Sequence, residues 1–401
     1  MNKVYIVAAK RTAIGAFMGT LGDVHPAEYG AAVVKHILEE TGVPAKAVDE
    51  VLVGNILPAG LGQGVARQVA LKAGIPETVP AYGVNMVCGS GMKTVMNAFT
   101  NIRAGLYDVM VAGGVESMSK APYIIPDKAR KGLKLGSFKV LDHMVDDVLT
   151  DAFNQYHMGV TAENIVEQYG ISREAQDRFA SLSQEKAIAA VDSGRFKEEI
   201  VPYTISTRKG DIVFDTDEYP NRGTSYEKLG KLRAAFKKDG TVTAGNSSGI
   251  NDGASFMMIV SEAALEKYGL TPLAEIVGIG QGGVDPATMG LGPVPAIEAA
   301  LENAGISFDD IELFELNEAF AAQSLGVFEG LKEVFGVSPE TMMEKTNVNG
   351  GAIALGHPVG ASGNRIAVTL IHEMQKRGST YGLASLCIGG GMGTALILKR
   401  S

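Results

Sequence analysis

Val87-Cys-Gly-Ser-Gly-Met92 and Gly360-Ala-Ser-Gly363 are the two stretches that decide the fold of this chain. In both, a Ser-Gly pair opens a run of apolar residues at helical spacing, about four turns long by the ~3.6-residue repeat. A glycine ends each predicted helix, and the apolar strand that follows runs into paired glycines. After the first stretch these are Gly105 and then Gly113-Gly114, and after the second they are Gly378 and then Gly389-Gly390. The same features in the same order predict an internal duplication, with two similar α/β halves.

The rest of the chain alternates strand-length apolar runs with helix-period segments, which favours an α/β fold with a largely parallel sheet. The predicted strands are 4–9, 51–55, 274–279 and 311–314, and the further predicted helices are 27–40 and 295–304. We expect an N-terminal half at residues 1–120, completed by about 250–272, and a C-terminal half at 273–401. Residues 121–249, which are dense in charge, are expected to form a loop or cap domain built to receive an anionic group. The basic residues of this segment also fit an ordinary solvated surface.

Composition excludes several classes of protein. The 401 residues are 46% hydrophobic with a mean hydropathy of +0.10, and no apolar run approaches the ~20 residues of a membrane span. A net charge of -9 argues against nucleic acid as a partner. Because Cys88 and Cys387 are the only cysteines, neither a disulfide framework nor a four-cysteine zinc site is expected. The first strand-like run begins at Val4 with no signal peptide before it, so the expected compartment is the cytoplasm.

Four segments carry chemically useful groups. Cys88 lies on a strand-to-helix turn, where free amides and the positive end of a helix dipole are expected to lower the pKa of its thiol. Asn317-Glu-Ala-Phe320 follows a predicted strand, and Asn349-Gly-Gly-Ala-Ile-Ala-Leu-Gly-His357-Pro358 is a glycine-rich loop with one imidazole. Cys387-Ile-Gly-Gly-Gly-Met392 supplies the second thiol. Taken singly, each segment also fits a structural interpretation: small buried cysteines, a histidine bonded to the backbone, a solvated Asn-Glu loop.

Together and in this order, the four segments resemble those of the thiolase family, and the resemblance extends from Val4 to the C-terminus. It implies a duplicated α/β core of five layers (αβαβα) with an inserted cap domain. It also implies that Cys88 is acylated, that His357 helps to activate it, and that Cys387 is the acid/base. His357 and a water held by Asn317 would face the enolate oxygen, and the amides of Cys88 and Gly389 would form a second oxyanion site.

Further positions match family residues that line the site for coenzyme A (CoA) and the acyl group: Leu149, His157, Met158, Phe236, Ala244, Ser248, Met289, Ala319 and Phe320. The segment around His157 and Met158 resembles that of short-chain members, whose pocket leaves little room beyond a few carbons. One departure concerns the nucleotide end of CoA. Family members have an arginine at the position of Asn221, whereas here the arginine is the next residue, so Arg222 and Lys228 are both candidate contacts.

The resemblance therefore implies an acyltransferase that reversibly condenses two acetyl-CoA into acetoacetyl-CoA and CoA, within fatty acid metabolism. No metal or other cofactor, nucleic acid or membrane is expected as a partner, and the family suggests a homotetramer. Two enzymatic alternatives stay open: a longer-chain degradative 3-ketoacyl-CoA thiolase, and a 3-ketoacyl synthase of the same superfamily, which usually lacks a C-terminal catalytic cysteine such as Cys387. A non-catalytic, lipid-binding member of the fold is a third alternative, and it would be expected to lack a reactive group.

Overall fold

The computed structural model describes residues 2–401. Its strands are β1 Val4–Arg11, β2 Gly15–Ala16, β3 Glu50–Gly54, β4 Ala81–Val84, β5 Val109–Ser117, β6 Tyr123–Ile124, β7 Leu141–Asp142, β8 Tyr203–Thr207, β9 Gly210–Phe214, β10 Asn251–Ser261, β11 Ala274–Gly283, β12 Leu313–Leu316, β13 Tyr381–Ile388 and β14 Met392–Arg400. Its α-helices are α1 Pro26–Thr41, α2 Val65–Lys72, α3 Ser90–Arg103, α4 Met158–Tyr169, α5 Arg173–Asp192, α6 Tyr226–Leu229, α7 Glu262–Tyr268, α8 Pro293–Ala304, α9 Ala321–Phe335, α10 Pro339–Lys345, α11 Ala352–Leu355 and α12 Val359–Arg377. None of the helices within residues 2–401 combines the length and the apolar character that a membrane span requires.

Ten strands form one continuous sheet in the order β12-β13-β14-β11-β1-β10-β5-β3-β4, with β2 paired to one end of β10. In the N-terminal half, β3 runs parallel to β4 and β5, while β10 is antiparallel to both β5 and β1. The C-terminal half repeats this pattern, since β12 and β13 are parallel and β14 is antiparallel to both β13 and β11. The predicted duplication is therefore confirmed, and the two halves join where β1 pairs with β11.

The two helices whose first turns contain the Ser-Gly pairs, α3 and α12, form the central layer of the molecule. One apolar cluster packs both helices against strands of both halves, through residues such as Met92, Ile366, Ala112 and Leu396. A second cluster packs α1 and α2 on the other face of the N-terminal strands, and a third packs α8 and α9 on the other face of the C-terminal strands. The result is the predicted five-layer arrangement.

The first turns of α3 and α12 cross with no side chain between them. A Cβ atom added to Gly114 of β5 would lie 2.0 Å from the carbonyl oxygen of Gly360, and one added to Gly363 would lie 2.6 Å from the backbone nitrogen of Met92. Carbon atoms do not approach other atoms that closely, so only glycine permits this crossing. The crossing brings the N-termini of both helices, and the residues just before them, to one place.

β5 differs from the sequence prediction. We expected its apolar run to end at Gly113-Gly114, as β13 does end just before Gly389. β5 instead continues to Ser117, and every one of its residues is buried. A Cβ atom on Gly113 would lie 2.1 Å from the carbonyl oxygen of Ser255 in the neighbouring strand β10. These two glycines therefore permit close packing inside the sheet, and they do not end the strand.

Residues 121–249, the segment called the cap below, contain α4, α5, α6 and the pairs β6–β7 and β8–β9. Buried ion pairs fix it to the first strand. Arg11 donates to both carboxylate oxygens of Asp217, at 2.7 and 2.9 Å, and to Glu199 at 2.7 Å. Asp217 also accepts a hydrogen bond from the N–H of Ile14 at 2.8 Å. Because a buried charge without a partner is costly, this network holds the cap in one position over the core.

We expect Gly114→Ala to lower the free energy of unfolding by about 3 kcal/mol or more, because the new methyl group must push α12 away from β5. Gly230→Ala is the matched control. A Cβ atom there meets nothing closer than 3.7 Å, and the residue already has right-handed φ and ψ of -59° and -18°. Urea unfolding followed by circular dichroism measures both variants, and equal stability of the two would contradict the close crossing.

Candidate active site

Cys88 lies at the end of a strained turn between β4 and α3. Val87, a β-branched residue, has a φ of 45°, in the left-handed region that such residues avoid. Ser90 holds the turn from its other side. Its hydroxyl donates to the carbonyl oxygen of Val87 at 2.7 Å and accepts from the N–H of Met86 at 2.8 Å. The turn places Cys88 just ahead of the first turn of α3.

The Cys88 thiol meets the end of β13. The backbone N–H of Gly389 and the N–H of Cys88 itself both favour the charged form of the sulfur and act to lower its pKa. Burial raises the pKa of this thiol to about 11, and the two N–H groups oppose that effect only in part. The expectation of a lowered thiol pKa is therefore wrong. Apolar neighbours such as Leu57 and Met118 desolvate the sulfur, and this outweighs the favourable helix N-terminus.

Cys387 is the second thiol of the site and is fully buried near the end of β13. It packs in a small apolar cluster with Met158, Met289 and Phe320. Burial raises the pKa of Cys387 above its ordinary value, and the charge of a Cys88 thiolate raises it further. The two thiols are therefore close enough to affect each other's ionisation, and both are neutral in the free protein at neutral pH.

The His357 ring is oriented by bonds to its backbone and to Nδ1. Gly356 has a φ of 100°, and the side chain of Asn251 lies where a Cβ atom of Gly356 would be. Asn251 accepts from the His357 N–H at 2.9 Å. The hydroxyl of Ser362 donates to the carbonyl oxygen of Pro358 at 3.0 Å and lies 2.6 Å from Nδ1. In the arrangement that satisfies both contacts, Nδ1 carries the ring proton and donates to Ser362.

The other ring nitrogen, Nε2, is therefore unprotonated. Asn317 Nδ2 donates to it at 3.5 Å. Burial, followed by the positive charge of Arg365, lowers the pKa of His357 to about 4. Arg365 is itself buried and lies 3.6 Å from Glu315, whose pKa burial raises to about 8. His357 is thus a neutral imidazole with an unprotonated Nε2 at physiological pH.

Glu318, next to Asn317, fixes the glycine-rich loop. Its carboxylate is buried and accepts from the Ser183 hydroxyl at 2.6 Å, from Asn347 Nδ2 at 2.8 Å and from the Ile353 N–H at 3.2 Å. These partners come from α5 of the cap, from a residue just before the loop and from α11 within the loop. The alternative that Asn317 and Glu318 form a solvated loop is therefore wrong, since both side chains are buried.

Glu116 is a buried residue of the site that sequence reasoning missed. Near the end of β5, its carboxylate accepts from the N–H groups of Ile56, Leu57 and Gly360 at 3.0, 3.2 and 2.8 Å. Burial raises its pKa to about 7 in spite of these bonds. Its negative charge in turn raises the pKa of Cys88. The sequence feature that could have identified Glu116 is its position as a carboxylate directly after a run of apolar residues and glycines.

Two adjoining cavities lead to His357. The outer cavity has a volume of about 520 Å³ and the inner cavity about 390 Å³, and Tyr219 and Ala244 line both. His357 lines the inner cavity. Six of the predicted CoA residues line it as well: Leu149, His157, Phe236, Ala244, Ser248 and Phe320. The structure therefore gathers most of the predicted binding residues around one channel.

Aromatic side chains form one wall of the inner cavity. The ring of His157 stacks on Phe236 with centroids 4.6 Å apart, and Phe320 meets Phe236 edge-on at 6.0 Å. Burial lowers the pKa of His157, so this ring is neutral and suited to apolar contact. The remaining predicted acyl-pocket residues are buried beside Cys387 in the same apolar cluster: Met158, Met289 and Ala319.

The two basic candidates for the nucleotide end of CoA differ in position. Arg222 is exposed, pairs with Asp192 at 2.5 and 2.9 Å, and is not among the residues that line the outer cavity. Lys228 lines that cavity, and its Nζ donates to the carbonyl oxygen of Gly223 at 2.6 Å. The structure therefore places Lys228, and not Arg222, in the cavity.

Several lining residues were not anticipated. Phe17, Tyr219, Ser247, Ile250 and Val359 all line the inner cavity. Ser247, Ile250 and Val359 flank predicted residues, so their neighbours were the available signal. Phe17 and Tyr219 belong to segments without a motif, and only the fold brings them to the site. Within residues 2–401, no group of three or more His, Cys, Asp or Glu side chains is arranged to hold a metal ion.

Fold and site together define an acyltransferase. Residues 4–263 match the thiolase N-terminal domain and residues 270–400 the thiolase C-terminal domain. An acetyl-CoA acetyltransferase of Pseudomonas aeruginosa is 53% identical over 401 residues, which cover 100% of both chains. The structure of acetyl-CoA acetyltransferase from Syntrophomonas wolfei matches with a TM-score of 0.97 at 43% identity, over 100% of each chain. Human mitochondrial 3-ketoacyl-CoA thiolase matches with a TM-score of 0.94 at 44% identity, over 100% of this chain and 99% of that one. This chain belongs to the thiolase family.

We expect the alkylation rate of Cys88 by iodoacetamide to rise about tenfold per pH unit between about pH 6 and pH 9, with no plateau. The thiolate is the reacting form, and a pKa raised to about 11 keeps the thiol protonated throughout this range. Peptide mass spectrometry separates Cys88 from Cys387, which serves as the buried internal control. A plateau that begins near neutral pH would contradict the raised pKa.

Proposed function

We propose that the protein is an acetyl-CoA C-acetyltransferase, which joins two acetyl-CoA molecules into acetoacetyl-CoA and CoA and catalyses the reverse cleavage. The observation that carries the proposal is a pair of interacting thiols, the half-buried Cys88 and the buried Cys387, in a site whose neutral imidazole, His357, lines the inner cavity. Relatives that match over the whole chain bear the name of this activity.

In the first half-reaction, the Cys88 sulfur attacks the carbonyl carbon of acetyl-CoA while its proton passes to Nε2 of His357. The N–H groups of Cys88 and Gly389 stabilise the oxyanion of the tetrahedral intermediate, and both already favour negative charge on the sulfur in the free protein. The intermediate collapses with cleavage of the bond to the CoA sulfur, which takes the proton of Cys387 and leaves as CoA. Cys88 then carries the acetyl group, beside a Cys387 thiolate and a His357 imidazolium.

In the second half-reaction, the Cys387 thiolate removes an α-proton from a second acetyl-CoA. The burial that raises the pKa of this thiol makes its thiolate a stronger base, as removal of a proton from carbon requires. The enolate carbon attacks the acetyl carbonyl on Cys88, a carbon–carbon bond forms, and the bond to the Cys88 sulfur breaks. The departing sulfur takes the proton from His357, so that all three groups regain their starting protonation.

The enolate oxygen formed between these steps needs hydrogen-bond donors. Protonated His357 supplies its Nε2–H, and Asn317 is the candidate to hold a donor water beside it. Two contacts support this role: Asn317 Nδ2 already reaches Nε2 at 3.5 Å, and its buried Oδ1 has no hydrogen-bond partner within residues 2–401. The stabilisation expected from one such oxyanion donor is about 10²–10³ in rate.

The acyl site is proposed to be small. Met158, Met289 and Cys387 belong to one buried apolar cluster, and His157, Phe236 and Phe320 close the cavity wall beside it. An acetyl group requires little space, whereas each further methylene must displace packed side chains. This favours acetyl-CoA and acetoacetyl-CoA as substrates over long 3-ketoacyl chains.

A degradative thiolase for longer chains is the second candidate. The observation that favours it is the similarity to human mitochondrial 3-ketoacyl-CoA thiolase, which is almost as great as that to the acetyl-CoA acetyltransferase structures. Methionine side chains are also flexible enough to make room for a longer chain. Both candidates use the same catalytic groups, and they differ only in chain length.

The remaining expectations also belong to the proposal. The thioester chemistry described above is complete with two thiols, one imidazole and backbone N–H groups, so we propose that it needs no metal or redox cofactor. Among the two basic candidates for the nucleotide end of CoA, the cavity favours Lys228. A homotetramer in the cytoplasm, acting in fatty acid metabolism, is proposed from the family resemblance alone.

We expect acetyl-CoA to label Cys88, and Cys387→Ser to retain this label while its turnover falls about 10²-fold or more, as loss of an acid/base group predicts. Peptide mass mapping locates the acetyl group, and coupled assays in both directions measure turnover. Cys88→Ser is the control and should show no label. An acetyl group found only on Cys387, or wild-type turnover in Cys387→Ser, would refute the assignment of roles.

We expect kcat/KM for 3-ketooctanoyl-CoA to be at least one to two orders of magnitude below that for acetoacetyl-CoA. Overpacking by several methylenes costs about 1–3 kcal/mol, and about 1.4 kcal/mol corresponds to a factor of ten. Met289→Ala, which removes side-chain volume from the apolar cluster, should reduce this difference. Equal or better use of the longer substrate by the wild-type protein would favour the second candidate and leave the thiolase assignment intact.

A further inference from the structure

Phe17 is an apolar side chain that remains 44% exposed while it lines the inner cavity. It lies in the turn after β2, where the N–H of Gly19 donates to the carbonyl oxygen of Ala16 at 2.9 Å. None of the steps described above uses this ring. An exposed phenyl group in the cavity that holds His357 is apolar surface that a bound ligand would remove from water.

The turn that carries this ring is fixed on both sides. Glu218 of the cap accepts from the N–H of Ala16 at 2.8 Å and from the hydroxyl of Thr20 at 2.7 Å. The hydroxyl of Ser119 accepts from the N–H of Met18 at 2.7 Å. Met18 has a φ of 57°, which a residue with a side chain adopts only where its surroundings hold it. The ring is therefore held in place although much of its surface is uncovered.

The same turn is linked to the catalytic histidine and to the channel. Asn251 Nδ2 donates to the carbonyl oxygen of Gly15 at 3.0 Å, and its Oδ1 accepts from the N–H of His357 at 2.9 Å. On the other side, Glu218 is followed in the chain by Tyr219, which lines both cavities. A ligand that extends from the outer cavity to His357 must pass the segment that these bonds hold together.

We propose that Phe17 is a specificity-determining residue that contacts the pantetheine arm of the thioester, and that Glu218 is the positioning residue that holds it there. This inference rests on the proposed function, because the arm belongs to CoA. The arm is a narrow, largely apolar chain with two amides, and it must span the distance between the outer cavity and the reacting thioester. Phe17 offers it an apolar surface that is independent of the acyl chain.

Phe17→Ala should raise KM for acetoacetyl-CoA and for CoA about tenfold, the effect of losing one partly buried aromatic contact. The value of kcat should stay within about twofold, because the ring is not among the reacting groups. Phe17→Leu, which keeps an apolar contact, should restore most of the affinity. Leu106→Ala is the matched control, since Leu106 is an exposed apolar residue outside the cavity.

Glu218→Ala should raise KM by a similar factor but add little in the Phe17→Ala background, because it acts through the position of that ring. Fully additive effects would show that Glu218 acts independently of Phe17, and they would overturn its positioning role. Thermal unfolding of each variant distinguishes loss of the turn from loss of the fold.

Protection of Cys88 from alkylation by CoA provides a measurement that does not require turnover. A wild-type protein that CoA protects but that does not cleave acetoacetyl-CoA would refute the proposed function and leave the Phe17 contact testable. If Phe17→Ala retains wild-type KM and wild-type protection, the inference is wrong. A changed oligomeric state in size-exclusion chromatography with unchanged KM would show that a second copy of the chain covers the ring, which also overturns it.

Discussion

The bare contact between the backbones of Gly114 and Gly360 is the constraint on which the rest of the structure depends. It lets β5 and α12 approach so closely that a Cβ atom added to Gly114 would lie 2.0 Å from the carbonyl oxygen of Gly360. Glu116 then reaches across this contact to the N–H of Gly360 and closes it. As a result, Cys88 before α3 and His357 before α12 lie at the same end of the two crossing helices. The duplicated halves thus do more than repeat a fold, since their junction holds the proposed active site.

Burial decides the charge of that site. Desolvation raises the pKa of Cys88 and Cys387 and lowers the pKa of His357, so each reacting group is neutral in the free protein. The buried cation of Arg365 acts in the same direction on His357. In the proposed reaction, charge is therefore created only during catalysis, where the backbone N–H groups near the Cys88 sulfur favour it. A neutral thiol reacts slowly with other electrophiles, so the free protein is protected from unwanted modification.

The sequence predicts those features of the fold and the site that depend on residues close together in the chain. The Ser-Gly turns, the glycines that follow α3 and α12 and the two thiols are local features, and the sequence identified them. The sequence did not predict the path of β5. Gly113 and Gly114 are required there because β10 and α12, which come much later in the chain, pack directly against them. The pKa of Cys88 was misjudged for the same reason: the helix dipole is visible in the sequence, whereas the apolar residues that desolvate the sulfur are not. Phe17 carries no motif at all, and only the folded chain shows its place in the cavity.

The position of β10 has a consequence for how the protein is made. This strand, Asn251–Ser261, lies between β1 and β5 in the sheet, and it pairs Ser261 with Val4 at the very start of the chain. The partners of Arg11, Glu199 and Asp217, are also synthesised late. The N-terminal half therefore cannot close on the ribosome until the entire cap has emerged, and β1 and β5 expose unpaired edges until then. Such long-range pairing is slow, so these edges stay unpaired while more than half of the chain is synthesised, and they are then the segments most exposed to aggregation.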